Sequence, residues 1–278
     1  MGGRVGRVSG TITRCLILSL IMAGCAPRGG PTRDEIFQRI LPATVQVVVE
    51  QQEGRRLRTS SGVAMASRGT ACFILTSGHA MKGVQGQRQV YVVFGRHRGE
   101  GLGQKAPATL LASRDTGKLD LAILRADSDA CAPTGLGPPP SLGESVWVVG
   151  FPWGQHMTLA SGVVSQINSP AAGSIETAAR LMVDASVSYG SSGGGVFEAR
   201  GGGLIGLVEG YRTARVTSHG TAGEWYIDVP EPGQTFVTSL ADIRRFLAET
   251  GHARLLESRP SHPEAEGITA EPQPARHP

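Results

Sequence analysis

Three side chains in this sequence have the types and settings that acyl-transfer chemistry requires. Ser192 stands in Tyr189-Gly190-Ser191-Ser192-Gly193-Gly194-Gly195, downstream of the apolar segment Leu181-Met182-Val183. Glycines on both sides let the chain turn sharply and bring backbone N–H groups to one point. That suits a nucleophile whose developing oxyanion is held by main-chain donors. A Gly/Ser loop between two strands fits the same run, so the serine gains meaning only from a base and an acid elsewhere. Of the seven histidines, only His79 directly follows an apolar strand-like run, Cys72-Phe73-Ile74-Leu75-Thr76-Ser77-Gly78. Asp120 opens Leu121-Ala122-Ile123-Leu124, where a carboxylate is costly to bury unless it is hydrogen-bonded. Each alone reads as an ordinary strand-end residue. Together they supply base, acid and nucleophile, in the order His79, Asp120, Ser192.

The elements that must position them are short strands. Gly is abundant (39 residues), Pro substantial (17) and aromatics few (5%), a profile of many strands and turns more than of long helices. Six β-type runs fall at residues 45–51, 58–66, 71–77, 89–94, 105–114 and 119–126. A Pro/Gly-rich stretch, Ala132-Pro133-Thr134-Gly135-Leu136-Gly137-Pro138-Pro139-Pro140, then excludes a regular helix or central strand. Six more runs follow at 145–150, 157–168, 180–184, 195–199, 203–212 and within 224–238. His79 and Asp120 belong to the first set and Ser192 to the second. A capping box at Thr32-Arg33-Asp34-Glu35 starts a short helix that Pro42 is expected to stop. A second cap at Ser239 opens a terminal helix with Leu240, Ile243, Phe246 and Leu247 on one face, ended by Gly251. The expected organisation is a signal peptide at 1–24, a tether at 25–35, an N-terminal barrel at 36–130 and a linker at 131–143. A C-terminal barrel with its helix follows at 144–251, then a Pro-rich disordered tail at 252–278.

The leader carries three arginines before the apolar run Cys15-Leu16-Ile17-Leu18-Ser19-Leu20-Ile21-Met22-Ala23, which is too short to span a bilayer. It ends in Met22-Ala23-Gly24-Cys25, which resembles a bacterial lipobox with Met22 in place of the usual leucine. The resemblance implies lipidation at Cys25 and a membrane-anchored protein facing the periplasm, and Ala26 favours the outer membrane. An ordinary secretory signal cut between Ala23 and Ala26 is the alternative. The net charge is +4, and removing the three leader arginines leaves +1, which argues against a nucleic-acid partner. Arg55-Arg56-Leu57-Arg58 and Arg96-His97-Arg98 read as solvated loops. Cys72 and Cys131 could pair in an oxidising compartment, and the sequence leaves that open. Neither has a second ligand at zinc-like spacing, so no metal is expected.

Four stretches together resemble the chymotrypsin-fold, trypsin-like serine proteases, most closely their bacterial Deg/HtrA-like branch. Ser61-Gly62-Val63 through Ile74-Leu75-Thr76-Ser77-Gly78-His79 is similar to the segment leading to the catalytic histidine. Leu119-Asp120-Leu121-Ala122-Ile123-Leu124 is similar to the aspartate strand. Val149-Gly150-Phe151-Pro152-Trp153-Gly154 with Ser161-Gly162-Val163-Val164-Ser165 resembles a segment of the second barrel, and Asp184-Ala185 through Gly194 the region of the nucleophile. The resemblance covers about residues 36–250. It implies an all-β fold of two six-stranded Greek-key barrels with a short N-terminal and a C-terminal helix. It also implies proteolysis of protein or peptide substrates without metal or cofactor. Ser192 would then be the nucleophile, His79 the general base, Asp120 its orienting acid, and the N–H groups of Gly190 and Ser192 the oxyanion hole.

Departures from the family pattern narrow the expectation. Ser191 stands where the branch has Asn and digestive members have Asp, which argues against activation by a freed N-terminus. Tyr189 and Gly195 replace common prolines, and 27 residues after Gly251 are too few for a PDZ domain. Ser186 occupies the position of the aspartate that recognises Lys and Arg, so a small or medium apolar P1 residue is expected, with Glu209 near the pocket wall. Gly190-Ser191-Ser192-Gly193-Gly194 also satisfies the α/β-hydrolase elbow, but that fold needs a strand–turn–helix and the order Ser, Asp, His. The alternative to a protease is a trypsin-fold lipoprotein that binds envelope proteins or peptides without cutting them.

Overall fold

The computed structural model describes residues 2–3, 30–84, 88–95, 103–116, 119–167, 181–220 and 223–257. Cys25, the apolar core of the leader and the tail from 258 lie outside these residues. Arg96-His97-Arg98 and the expected strand ends at Asn168 and Arg180 lie outside them too. Among the described residues no helix is long and apolar enough to cross a membrane.

Among the described residues from Thr32 onward, the chain forms helix α1 (Arg33–Ala43), twelve strands and helix α2 (Leu240–Glu249). The strands are β1 (Thr44–Gln51), β2 (Arg56–Arg68), β3 (Ala71–Thr76), β4 (Arg88–Phe94), β5 (Gln104–Thr116) and β6 (Leu119–Asp127). They continue with β7 (Ser145–Gly150), β8 (Thr158–Ile167), β9 (Leu181–Val183), β10 (Gly195–Glu198), β11 (Leu204–Gly220) and β12 (Gly223–Ser239). They close into two antiparallel barrels of six, ordered β1-β2-β3-β6-β5-β4 and β10-β11-β12-β9-β8-β7. The all-β, two-barrel architecture with a helix at each end is the one expected.

Period-two patterning builds each barrel. In β1, Val45, Val47 and Val49 enter the first barrel's core beside Ala64, Ile74 and Val92. The second barrel is filled by Val146, Val148, Val164, Val183, Val196 and Ile205. A third cluster spans both: Val63, Leu75 and Ile123 from the first barrel meet Val149 and Leu207 from the second, with Phe246 from α2. The apolar faces of α1 and α2 therefore seal the seam between the barrels.

The capping box forms, with Glu35 N–H donating to Thr32 Oγ1 (3.3 Å) and Thr32 N–H to the Glu35 carboxylate (2.6 Å). Helix α1 runs through Pro42 to Ala43 and does not stop at the proline. Thr44 Oγ1 bonds the Ile40 carbonyl (3.1 Å), and the buried faces of Ile36 and Ile40 hold the last turn in place. A larger difference is β11, expected to end near Arg212 but continuous to Gly220 in a long ribbon with β12. On one face of that ribbon Val216 lies opposite Ile227, and on the other Arg215 pairs with Asp228 at 2.8 Å. Polar β-branched residues such as Thr213 and Thr217 lengthen the strand without a core beneath them, a case that a search for apolar runs misses. Between the barrels, the Pro/Gly-rich connection is bonded in place. Gly137 N–H reaches Leu204 O (2.8 Å), and Thr134 N–H reaches Ala64 O (3.0 Å).

Candidate active site

His79 follows β3 in a short 3-10 turn, and Asp120 is the second residue of β6, which pairs with β3. Antiparallel pairing therefore brings the end of one strand to the beginning of the other. Asp120 is buried, and its two oxygens are used on one residue: Oδ1 accepts from the His79 backbone N–H and Oδ2 meets His79 Nδ1, both at 2.7 Å. A carboxylate accepts only, so Nδ1 carries the proton and Nε2 is left as the basic nitrogen. The bond to Asp120 is the main cause that raises the imidazole pKa above 6.5. Burial opposes it, and the charges of Asp120, Asp115 and Glu209 add to it.

Arg58, read from sequence as part of a solvated loop, instead caps the turn. Its Nη1 donates to the carbonyls of His79 (3.1 Å), Ala80 (3.0 Å) and Lys82 (3.2 Å). Alternating strand geometry aims this side chain of β2 across at the histidine turn, a relation that the run of charges in the sequence does not encode.

Ser192 lies between β9 and β10 in the second barrel, in a loop whose peptide groups are oriented one by one. Ser191 N–H donates to Ser188 O (3.0 Å), Gly193 N–H to Val208 O (2.7 Å) and Gly194 N–H to Ser191 O (2.9 Å). The carbonyls of Tyr189, Gly190 and Ser192 accept from Trp153 N–H, Ser61 Oγ and Ser61 N–H. Among the described residues, the N–H groups of Gly190 and Ser192 donate to no protein acceptor. A trans peptide points its C=O and N–H to opposite sides, so a Tyr189 carbonyl turned to Trp153 turns the Gly190 N–H away from it. This geometry uses φ +90° at Gly190, a region open to glycine at little cost.

The two barrels meet at this loop. A Cβ added at Gly193 would lie 2.2 Å from Ser61 O and 2.9 Å from Ser77 N, so the loop abuts the strand end that carries His79. Ser61, fully buried on β2, was legible only as part of a motif, without a role. Its hydroxyl donates to Gly190 O and accepts from Phe151 N–H (both 2.8 Å), its N–H donates to Ser192 O (2.8 Å), and its carbonyl accepts from Thr76 Oγ1 (2.6 Å). Gln46 on β1 adds a second tie, donating to Gly154 O at 2.7 Å.

The other candidates fall as follows. Glu209 is half-buried at a bulge in β11, close enough for its charge to act on His79. Ser186 is exposed on the segment between β9 and the Ser192 loop. Cys72 and Cys131 form a disulfide with Cα atoms 5.7 Å apart, tying β3 to the connection between barrels. No cluster of His, Cys, Asp and Glu able to hold a metal occurs among the described residues. A histidine held by a carboxylate, and a serine in a loop that leaves two amides without a protein acceptor among the described residues, are the groups that acyl transfer uses.

The fold and this arrangement define a class, and comparison with known proteins agrees. A family model described as "Trypsin-like peptidase domain" matches residues 60–207, and the chain belongs to that family. Among solved structures, the serine endoprotease from Yersinia pestis is similar at 24% identity and TM-score 0.56, over 82% of this chain and 67% of that one. HtrA-type protease AlgW with tripeptide is similar at 22% identity and TM-score 0.59, over 80% of this chain and 65% of its own. The chain spans about two thirds of the length of these proteins, and the likeness is one of fold.

Proposed function

We propose that this chain is a serine endopeptidase in which Ser192 attacks the scissile carbonyl while His79 Nε2 takes its proton. His79 then returns that proton to the leaving amine, and water, activated by the same histidine, releases the acyl group. Asp120 holds the imidazole with Nδ1 protonated and steadies its positive form. The N–H groups of Gly190 and Ser192 receive the oxyanion, each donor of this kind being worth ~3 kcal/mol in other enzymes.

One observation carries the reading over that of a binding protein with a collapsed loop. Among the described residues, the amides of Ser191, Gly193 and Gly194 are spent within the protein, while those of Gly190 and Ser192 meet no protein acceptor. A collapsed loop would turn the Tyr189 carbonyl inward, and here that carbonyl is engaged by Trp153.

Labelling by a fluorophosphonate probe, compared between the native chain and Ser192→Ala, tests it. Rapid labelling of the native protein alone is expected, since loss of a triad serine costs ~10⁶ in kcat. Equal labelling of both would end the protease reading in favour of a non-cleaving binder. Substrates with a small or medium apolar P1 residue are expected, because Ser186 offers no charge to a Lys or Arg. A strong Arg preference across a P1-varied peptide library would overturn that assignment.

The lipobox-like Met22-Ala23-Gly24-Cys25 supports anchoring to a bacterial envelope membrane, facing the periplasm and more consistent with the outer membrane. Cys25→Ser is expected to move the protein from the membrane to the soluble fraction, and an unchanged distribution would count against the anchor.

A further inference from the structure

Three aromatic rings stand in a row beside the catalytic loop. Trp153 lies against Tyr189 with ring centroids 5.2 Å apart and planes inclined at 55°, and Tyr189 meets Tyr211 edge-on at 5.7 Å. Trp153 and Tyr189 are 64% and 62% exposed. Rings left this open add little to the core, whereas contiguous exposed aromatics are the usual material of binding surfaces.

The backbone adds a second, independent sign. Among the described residues Trp153 is the only non-glycine with positive φ (56°). A bulky side chain in that region is strained by about 1–3 kcal/mol, and such strain gathers at functional sites. What the turn accomplishes is visible: it presents the indole to solvent while the Trp153 N–H holds the Tyr189 carbonyl. Tyr189 is bonded directly to Gly190, so its ring springs from the residue next to the proposed oxyanion donor. Tyr211 sits on β11 two residues beyond Glu209, and burial, with Tyr189 beside it, pushes its hydroxyl up to about 12. It therefore stays neutral at physiological pH.

We propose that Trp153, Tyr189 and Tyr211 form a subsite for an aromatic side chain of the polypeptide substrate, within two residues of the scissile bond. This assignment rests on the reading of Ser192 as the nucleophile. An extended substrate advances ~3.3 Å per residue, so two residues and a side chain span the ring spacings of 5.2 and 5.7 Å. Edge and face are both on offer, and neither requires a charged ligand.

The test uses peptides with a fixed alanine at P1 and Phe, Leu, Arg or Ala placed in turn at P2, P1′ and P2′. They are assayed on the native chain, Trp153→Gly, Trp153→Phe and Tyr189→Ala. Glycine accepts the turn's φ while removing the ring, and Tyr189→Ala probes the subsite without touching that turn. The readout is the Phe/Ala ratio of kcat/KM within each protein, so a general change in activity cancels. At one position the native ratio is expected to reach about tenfold, the upper end for an aromatic contact. It should fall to near one in Trp153→Gly and Tyr189→Ala and persist in Trp153→Phe. A native ratio near one at every position, a ratio that survives in Trp153→Gly, or Arg outranking Phe overturns the subsite. Fluorophosphonate labelling separates the two levels: labelling without a Phe preference overturns the subsite alone, and no labelling overturns the nucleophile assignment with it.

Discussion

Ser61 Oγ, on β2 of the first barrel, donates a 2.8 Å hydrogen bond to the carbonyl of Gly190 in the Ser192 loop of the second. The same oxygen accepts from Phe151 N–H, so one hydroxyl fixes two segments of the opposite barrel. His79 and Asp120 belong to one barrel and Ser192 to the other. Their relative placement therefore depends on ties of this kind.

Ser61→Ala leaves a half-buried carbonyl at Gly190 and a buried N–H at Phe151 without their hydroxyl partner, at about 1–3 kcal/mol. The Gly190–Ser191 peptide, which adjoins the proposed donor at Gly190 N–H, then loses its tie to the first barrel, and kcat is expected to fall about tenfold, less than the ~3 kcal/mol that full loss of one oxyanion donor costs elsewhere. KM should change little. Steady-state kinetics on one short peptide decides it, and a loss confined to KM would count against a positioning role.

Arg58 grips the histidine turn through a single nitrogen that reaches three carbonyls. Arg58→Ala is expected to lower kcat by about tenfold, on the scale of one charge-assisted hydrogen bond. Arg58→Lys should recover part of that loss, because an ammonium also offers several donors from one atom. If lysine and alanine behave alike, the guanidinium acts through something other than these bonds.

The pH dependence follows from His79. Its bond to Asp120 raises its pKa, so the acid limb of kcat/KM lies above pH 6.5, with activity lost as pH falls and the base becomes protonated. Glu209→Gln and Asp115→Asn each remove a negative charge that raises it and should move that limb to lower pH. Stability follows the opposite sense. The imidazolium–Asp120 contribution is full below the unfolded histidine's pKa and is lost as pH rises through the raised folded value. A pH–rate profile of each variant checks the direction, and a limb displaced upward would contradict it.

The Cys72–Cys131 disulfide closes a loop over a sequence separation of 59, for which the chain-entropy account gives about 4 kcal/mol. Cys131→Ser is expected to lower unfolding stability by about 2–4 kcal/mol, read as a lower denaturant midpoint, with a steeper slope because the unfolded chain without the cross-link exposes more surface. Reductant should shift the native chain in the same direction and leave the variant unmoved. A native midpoint insensitive to reductant would show that the bond contributes little.

Much of this was legible beforehand, and for identifiable reasons. Period-two runs of Val, Ile and Leu are local signals, so two sets of six strands could be counted before any pairing was known. Asp120 stood out because a buried carboxylate beside Leu121-Ala122-Ile123-Leu124 needs hydrogen-bond partners, and His79 supplies them to Oδ1 through its backbone N–H and to Oδ2 through Nδ1. The continuation of β11 to Gly220 was missed because an exposed ribbon buries nothing and leaves no apolar pattern. Arg58 and Ser61 were missed as positioning residues because their partners lie 21 and 129 residues away.

What the sequence determined by itself was residue type, order and local period: a serine, a histidine and an aspartate set among short strands in the order His79, Asp120, Ser192, and caps for two helices. Only the tertiary structure decided which acceptors the N–H groups of Ser191, Gly193 and Gly194 meet, which carbonyl Trp153 holds, and that Cys72 meets Cys131. Strand periodicity acts between near neighbours, whereas the direction of a peptide plane is set by whatever distant group accepts or donates there. Closing the two barrels brings those groups together, and with them the amides of Gly190 and Ser192 on either side of Ser191.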